Sequence, residues 1–418
     1  MRLNYLMLGV MAAAMTATPA SADTVTDWWE TAHRYWLASQ GAPGPLGPDA
    51  ARAATRTTLA MFEAVNAIDR RYESYLGFPQ AERSASQDAA AATAAYKVLL
   101  KHYPANKASL EESYTLGMAQ LGTGPAVESG KAIGEKAAEA AIGANGIDTA
   151  IGQTPYRPRT VPGEWVATGL PSLEPYWPAL KPWVMPTPDA LRPSPPPPLN
   201  SEQYARDYEE VRRLGGKDSK ERTPIQTLIA RYRQAFDIAP SVRRATDMPG
   251  RSQVDNARFL TLYQMANDDA TQAMVVAKQY YEYWRPITAI RNGDRDDNPA
   301  TQPDPAWAPL IATPNFQEYP CGHCALAGSI AEVMEHVSGW RRGQGVRVGS
   351  LLNPTSVVQL LPDWNEWARQ VSDSRIYGGV HYRFSNEAGE EIGRRAARLV
   401  MEKVLRPLAK GKKRQPSP

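Results

Sequence analysis

Cysteine is nearly absent. The 418-residue chain holds two, Cys321 and Cys324, both inside the stretch Tyr319-Pro-Cys-Gly-His-Cys324. A disulfide framework is excluded, because a bridge closing so few residues staples almost nothing. A charge excess of one sign is missing as well, with 47 basic residues against 44 acidic ones and a formal net charge of +3. Nucleic acid is thereby excluded as the main partner, since neutralising phosphates takes a dense basic patch. Beyond the N-terminal segment no apolar stretch reaches the roughly 18 residues a membrane span needs. Alternating patterns that would mark β-strands are scarce, and histidine occurs five times.

The first 22 residues carry Arg2, the apolar "LMLGVMAAAM" and small residues ending Ala20-Ser21-Ala22. This is the pattern of a secretory signal peptide, so an exported protein, periplasmic or secreted, is expected. The basic end, residues 409–418, reads as a solvated tail. An oligomer is compatible with everything else in the sequence.

Leu59, Phe62, Val65 and Ile68 recur every three residues, and the segments 86–103, 107–121 and 125–144 are rich in Ala, Leu, Glu and Lys. These predict amphipathic helices in an N-terminal half, residues 23–154. Residues 155–199 are rich in proline and contain Trp165, Trp177 and Trp183, which predicts a long irregular connection pinned by its aromatic residues. Helical pattern returns over 200–408: after Ser201 as an N-cap, at 222–237, at 253–285, in the stripe Leu326, Ile330, Val333, Met334, Val337, and from Asn386 to Val404 with Ser385 as its cap. The acidic "DRDDNP" at 294–299 reads as a solvated turn, lacking the Gly and distal Glu of a calcium loop. The predicted fold class is all-α, built of packed helical bundles with a Pro/Trp-rich surface connection.

The Cys-Gly-His-Cys stretch admits two readings. As a dithiol it matches disulfide oxidoreductases, which need a β-strand before the motif, whereas "TPNFQEYP" holds two prolines. As Pro-x-Gly-His at a helix N-terminus it matches an oxyanion site. On either reading the helix start lowers the pKa of Cys321. Lys278 and Arg285 lie seven apart, which on one helix places two cations on one face. Downstream, Arg375 and His381 flank a Gly-Gly turn that lets backbone approach a ligand. Three cations, the Gly322 amide and a helix N-terminus describe a pocket for a tetrahedral oxyanion, with His323 and His381 as ligand or nucleophile plus acid/base.

Lys278 to Pro286, Pro320-Cys321-Gly322-His323 and Ser374-Arg375 to His381 follow the order of a known signature, Lys-x6-Arg-Pro, Pro-Ser-Gly-His, Ser-Arg-x5-His. With "PAWAPLIATPNFQEYP", "RTPIQTLIARY" and "AARAATRTTLAMFEAVNAID", the chain resembles the bacterial branch of the vanadium-dependent haloperoxidases, in the superfamily they share with type 2 phosphatidic acid phosphatases, over about residues 45–405. The resemblance implies two four-helix bundles and a vanadate cofactor, with phosphate able to occupy the same site. It implies that Lys278, Arg285 and Arg375 neutralise the vanadate oxygens, that the Gly322 amide donates to one of them, and that His381 is the vanadium ligand. His323 would be the acid/base, Lys278 would polarise bound hydrogen peroxide, halide would be oxidised, and Phe316 would line the pocket. The alternative within the superfamily is an acid phosphatase acting on a phosphate ester, with His381 as nucleophile and His323 protonating the leaving group; a thiol-disulfide oxidoreductase through Cys321 and Cys324 comes third. Two positions depart from the pattern. Cys321 stands where serine is usual, adding an oxidisable thiol that could pair with Cys324. Ser385 stands where aspartate is frequent, which removes a carboxylate that would orient His381 and counts against the phosphatase.

Overall fold

Short polar side chains stand where the helical patterns begin, and the computed structural model shows them capping helices. Ser86, Ser201 and Ser252 accept from the amides of Ala89, Tyr204 and Asp255 at 3.2, 3.2 and 3.3 Å. Thr223 and Gln226 form a reciprocal capping box. Each cap satisfies amides that a helix start leaves unpaired. The structure describes residues 23–40, 52–146, 156–169, 176–351 and 358–409. The expected leader and all but the first residue of the basic tail lie outside these.

Among the described residues, five helices precede the irregular connection: α1 (Thr24–Gln40), α2 (Ala53–Ile68), α3 (Gln87–His102), α4 (Lys107–Leu121) and α5 (Pro125–Ile142). Eight follow it: α6 (Glu202–Gly215), α7 (Pro224–Tyr232), α8 (Ala239–Thr246), α9 (Gln253–Tyr281), α10 (Pro286–Arg291), α11 (Gly322–His336), α12 (Trp364–Tyr377) and α13 (Arg383–Lys403). The fold is mostly helical. A small antiparallel sheet, β1 (Phe236–Asp237), β2 (Val346–Ser350) and β3 (Gln359–Leu361) in that order, adds to it, with Phe236 opposite Ser350 and Val346 opposite Leu361. Its strands are too short for an alternating pattern to show in sequence.

Helices α2, α3 and α5 pack together with α1 against α2 and α3, and α9, α11, α12 and α13 form a second group; the long α9 touches both α2 and the α11/α13 pair. One core runs through both groups and includes Phe62, Phe259, Leu260, Val333 and Trp367. Trp165, Trp177 and Trp183 in the connection are all buried. The Asp269 carboxylate on α9 accepts the backbone amides of Trp183, Val184 and Met185 at 2.8, 2.8 and 3.1 Å, which fastens the connection to that helix.

Three helix boundaries differ from the sequence reading. The helix expected over 222–237 stops at Tyr232, and β1 takes its end. The helix expected to reach 285 ends at Tyr281, because Glu282 adopts the left-handed conformation (φ 46°) and returns its amide to the Lys278 carbonyl at 3.0 Å. The last helix starts at Arg383, and Ser385 is buried inside its first turn rather than capping it. Asp207 of α6 accepts the Phe384 amide at 2.9 Å, a cap supplied from another helix. The acidic 294–299 turn is also not fully solvated: Asp296 is buried and accepts from Thr301 Oγ1 at 2.7 Å.

Glycines bring α11 and α13 together. A Cβ on Gly393 would overlap the Ala325 carbonyl, one on Gly389 the Cys321 carbonyl, and one on Gly328 the Glu390 carbonyl. All three obstacles are backbone and cannot swing aside. Gly393→Ala is therefore expected to cost about 3 kcal/mol, the upper range for overpacking, read as a lower midpoint in chemical denaturation. Gly117→Ala on α4, where a Cβ meets nothing within 4 Å, should instead gain about 0.5–1 kcal/mol from helix propensity. Equal effects at the two positions would show that the close approach is not rigid.

Candidate active site

Lys278 sits on the last turn of α9, and Arg285 lies beyond the helix end, in extended conformation before Pro286 (φ −80°, ψ 154°). The two therefore do not share a helix face, as their spacing had suggested; the left-handed Glu282 and the proline, which disfavours helical backbone at the residue before it, turn the chain between them. The loop Phe316–Glu318 reunites them. Lys278 Nζ donates to the carbonyls of Gln317 and Glu318 at 2.9 and 2.7 Å, and Arg285 Nε donates to the Phe316 carbonyl at 2.9 Å. The Phe316 ring lies beneath both cations, with its centroid 5.4 Å from Lys278 Nζ and 4.9 Å from Arg285 Cζ. Carbonyl dipoles and a ring face hold the charges without neutralising them.

Arg375 is on α12, and Gly379 at φ 78° turns the chain after it so that His381 reaches the same place. Arg285 Nη1 donates to the Val380 carbonyl at 2.9 Å and lies 3.1 Å from His381 Nε2. His381 Nδ1 is 2.7 Å from Glu318 Oε1, which also accepts the Tyr382 amide at 3.1 Å. Burial, then the fields of Arg285, Lys278 and Arg375, hold His381 far below its usual pKa. The ring is neutral, carries its proton on Nδ1 toward Glu318, and presents the Nε2 lone pair to Arg285. Burial raises the Glu318 carboxyl to about 7 against the pull of Arg285 and Lys278.

Glu318 is the residue sequence reasoning missed. A lone acid two positions before Pro320 has no motif of its own, and the orienting carboxylate was sought at position 385. Ser385 cannot supply that charge, but the site does not lack it.

Cys321 caps α11, its sulfur 3.3 Å from the Cys324 amide, so Gly322 and His323 open that helix where its unpaired amides point outward. His323 Nε2 donates to the Gln234 carbonyl at 2.9 Å, and its ring meets Phe236 edge-on at 6.1 Å. Burial, then the nearby Arg375, pull its pKa down to about 3. Neutral His323 thus keeps Nδ1 free as a proton acceptor.

Arg285 Nη2 and Arg375 Nε and Nη1 are buried with no hydrogen-bond partner. Burial lowers the pKa of both guanidiniums, Arg285 to about 10, yet both remain charged at neutral pH. Unpaired buried donors on a cation are costly, and an acceptor-rich anion would satisfy them. Among the described residues no group of three or more His, Cys, Asp or Glu side chains could hold a bare metal cation. The donor set fits a tetrahedral oxyanion such as vanadate or phosphate.

Residues 258–410, which contain every one of these side chains except the Gln234 and Phe236 contacts of His323, match the family model of the VCPO second helical-bundle domain. That stretch, a little over a third of the chain, is similar to the second helical bundle of the vanadium haloperoxidases. A stretch of 202 residues is 25% identical to the vanadium chloroperoxidase of Curvularia inaequalis, covering 37% of this chain and 32% of that protein, so the match spans about a third of the relative's length. The fold is similar over most of the chain to that of a bacterial vanadium-dependent iodoperoxidase, with a TM-score of 0.72, 22% identity and coverage of 92% and 97% of the two chains. A holo-type bacterial vanadium-dependent chloroperoxidase aligns with a TM-score of 0.65, 17% identity and coverage of 85% and 92%. Within the matched stretch Gly322 and His323 open α11, and Lys278 and Arg375 lie on the last turns of α9 and α12.

Lys278 adds a pH signature. Burial, then Arg285, lower its pKa from 10.5 to about 7. Below about pH 7 the ammonium is charged in both folded and unfolded states and its burial cost is fully felt; between about 7 and 10.5 the folded protein releases a proton that the unfolded chain keeps, so stability rises with pH. In the ligand-free protein the melting temperature of wild type should climb relative to Lys278→Met across that window. Parallel curves would mean that the lysine is not desolvated.

Proposed function

We propose that the protein is a vanadate-dependent haloperoxidase that oxidises halide with hydrogen peroxide. The observation that carries this reading is the set of three unpartnered guanidinium nitrogens on Arg285 and Arg375 in the same site as the His381 lone pair. The family-model match and the similarity to a vanadium chloroperoxidase support a haloperoxidase-like activity in general terms. Bound vanadate would supply an electrophilic centre for peroxide activation. The chain's own residues do the rest. Lys278, Arg285 and Arg375 would bind and neutralise the oxyanion, with the Gly322 amide as a further donor. His381 would offer Nε2 as ligand, held in one tautomer by Glu318. His323 Nδ1 would accept a proton from peroxide, and a nearby bound anion would raise its basicity as it offsets Arg375. Phe316 would shield the Lys278 and Arg285 side of the cage from water.

A second reading, phosphate ester hydrolysis through His381, gains from the same structure, because the Glu318–His381 hydrogen bond provides the orienting carboxylate that a nucleophilic histidine needs. One experiment separates them. Purified protein is assayed for peroxide-dependent bromination and iodination of a dimedone-type dye with and without orthovanadate, and for aryl phosphate hydrolysis without it. Halogenation that requires vanadate and is suppressed by phosphate supports the proposal; hydrolysis without halogenation overturns it in favour of the phosphatase.

A further inference from the structure

The two thiols take no part in the proposed chemistry. Cys321 and Cys324 are free thiols, 0% and 1% exposed, and their sulfurs are 2.6 Å apart on the first turn of α11. Cys321 is fixed in place: its amide donates to the Ser385 carbonyl at 3.0 Å, and its own carbonyl packs on Gly389. Beside it, Gly322 and His323 are only half-buried, so the sulfur lies one residue from where the site opens.

We propose that Cys321 and Cys324 are a peroxide-oxidisable pair in which Cys324 resolves oxidised Cys321 as a disulfide, preventing the oxyanion cage from being filled by its own oxidised sulfur. The chemistry balances with hydrogen peroxide as the only oxidant. The Cys321 thiolate attacks one peroxide oxygen, the O–O bond breaks, and the departing hydroxide takes a proton to become water, leaving a sulfenic acid. The Cys324 sulfur then attacks Cys321 Sγ, the S–O bond breaks and a second water leaves, so two thiols and one peroxide yield one disulfide and two waters. Without Cys324, a second peroxide would carry the sulfenic acid to a sulfinate. A sulfinate is an oxyanion fixed beside Arg375 and Lys278, and it would satisfy the donors that a soluble oxyanion needs.

The site's charges set the order of the two thiols. Burial pushes Cys321 up, but the Cys324 thiol, Arg375 and Lys278 outweigh it and leave Cys321 below the usual thiol range; burial and Cys321 push Cys324 well above it. The geometry agrees, since the Cys321 sulfur accepts from both the Cys324 amide and the Cys324 thiol, so Cys321 is the sulfur that meets peroxide and Cys324 keeps its proton until the sulfenic acid forms.

The test treats the full chain with hydrogen peroxide and maps peptides without reduction, then measures phosphate binding by calorimetry before oxidation, after it, and after dithiothreitol. Wild type should lose both free thiols, show one intramolecular Cys321–Cys324 disulfide, and recover its initial phosphate affinity on reduction. Cys324→Ser should accumulate sulfinate at Cys321 and lose phosphate binding in a way that dithiothreitol does not restore. Free thiols in wild type after peroxide, or sulfinate at Cys321 with Cys324 unmodified, would overturn the proposal. The mapping of wild type decides the matter alone if the variant fails to fold. It also stays separate from the functional reading: absent halogenation with normal disulfide formation sinks that reading and leaves this one standing.

Discussion

Arg375→Met is expected to abolish oxyanion binding and at the same time raise the melting temperature of the ligand-free protein. Both effects have one cause. The guanidinium is 2% exposed, with Nε and Nη1 unpaired, so the folded state bears a desolvated charge with little in return. Replacing such a group by an apolar side chain of similar shape stabilises proteins by about 1–4 kcal/mol. The same nitrogens are donors an anion would use, and losing a charged partner in a buried site costs about 2–5 kcal/mol, roughly 30-fold to several thousand-fold in affinity. Calorimetry with phosphate or vanadate and thermal denaturation of the ligand-free protein check the two halves. A variant that is both weaker in binding and less stable would show that Arg375 is a packing residue.

Glu318→Gln should reduce activity about 10- to 100-fold, the range seen when an outer partner of a metal-ligating histidine is removed. The substitution keeps size and a hydrogen-bonding oxygen. It also allows the amide to turn its NH2 toward His381 Nδ1, which moves the imidazole proton to Nε2. The Nε2 hydrogen would then face Arg285 Nη1, now 3.1 Å away, and the lone pair would be gone from the cage. Nitrogen-15 shifts of the His381 ring report the tautomer directly. Reduced activity with Nδ1 still protonated would trace the loss to some other cause.

The helices were legible wherever periodicity and caps lie close together in the chain, as at Ser201 and along Ile330, Val333 and Met334. The cage residues were legible because Lys278, Arg285, His323, Arg375 and His381 belong to three short linear motifs. Glu318 was not, because its meaning depends on His381, far along the chain. The turn between Lys278 and Arg285 was hidden for a similar reason: a seven-residue spacing suggests two helical turns, and only Glu282 in the left-handed region breaks them. Asp207 as the remote cap of α13 and the two- to five-residue strands depend on tertiary contacts with no local pattern.

The glycine contact between α11 and α13 determines how the protein should lose its site on heating. Gly389 and Gly393 press on the Cys321 and Ala325 backbone, and α11 carries Gly322 and His323. Helices joined backbone to backbone cannot separate by a side-chain rearrangement. The amides in the middle of α11 should therefore exchange with solvent deuterium only through the global transition, in the slowest cooperative unit of the molecule. The α11 wall of the candidate site would then stay intact until the whole fold gives way.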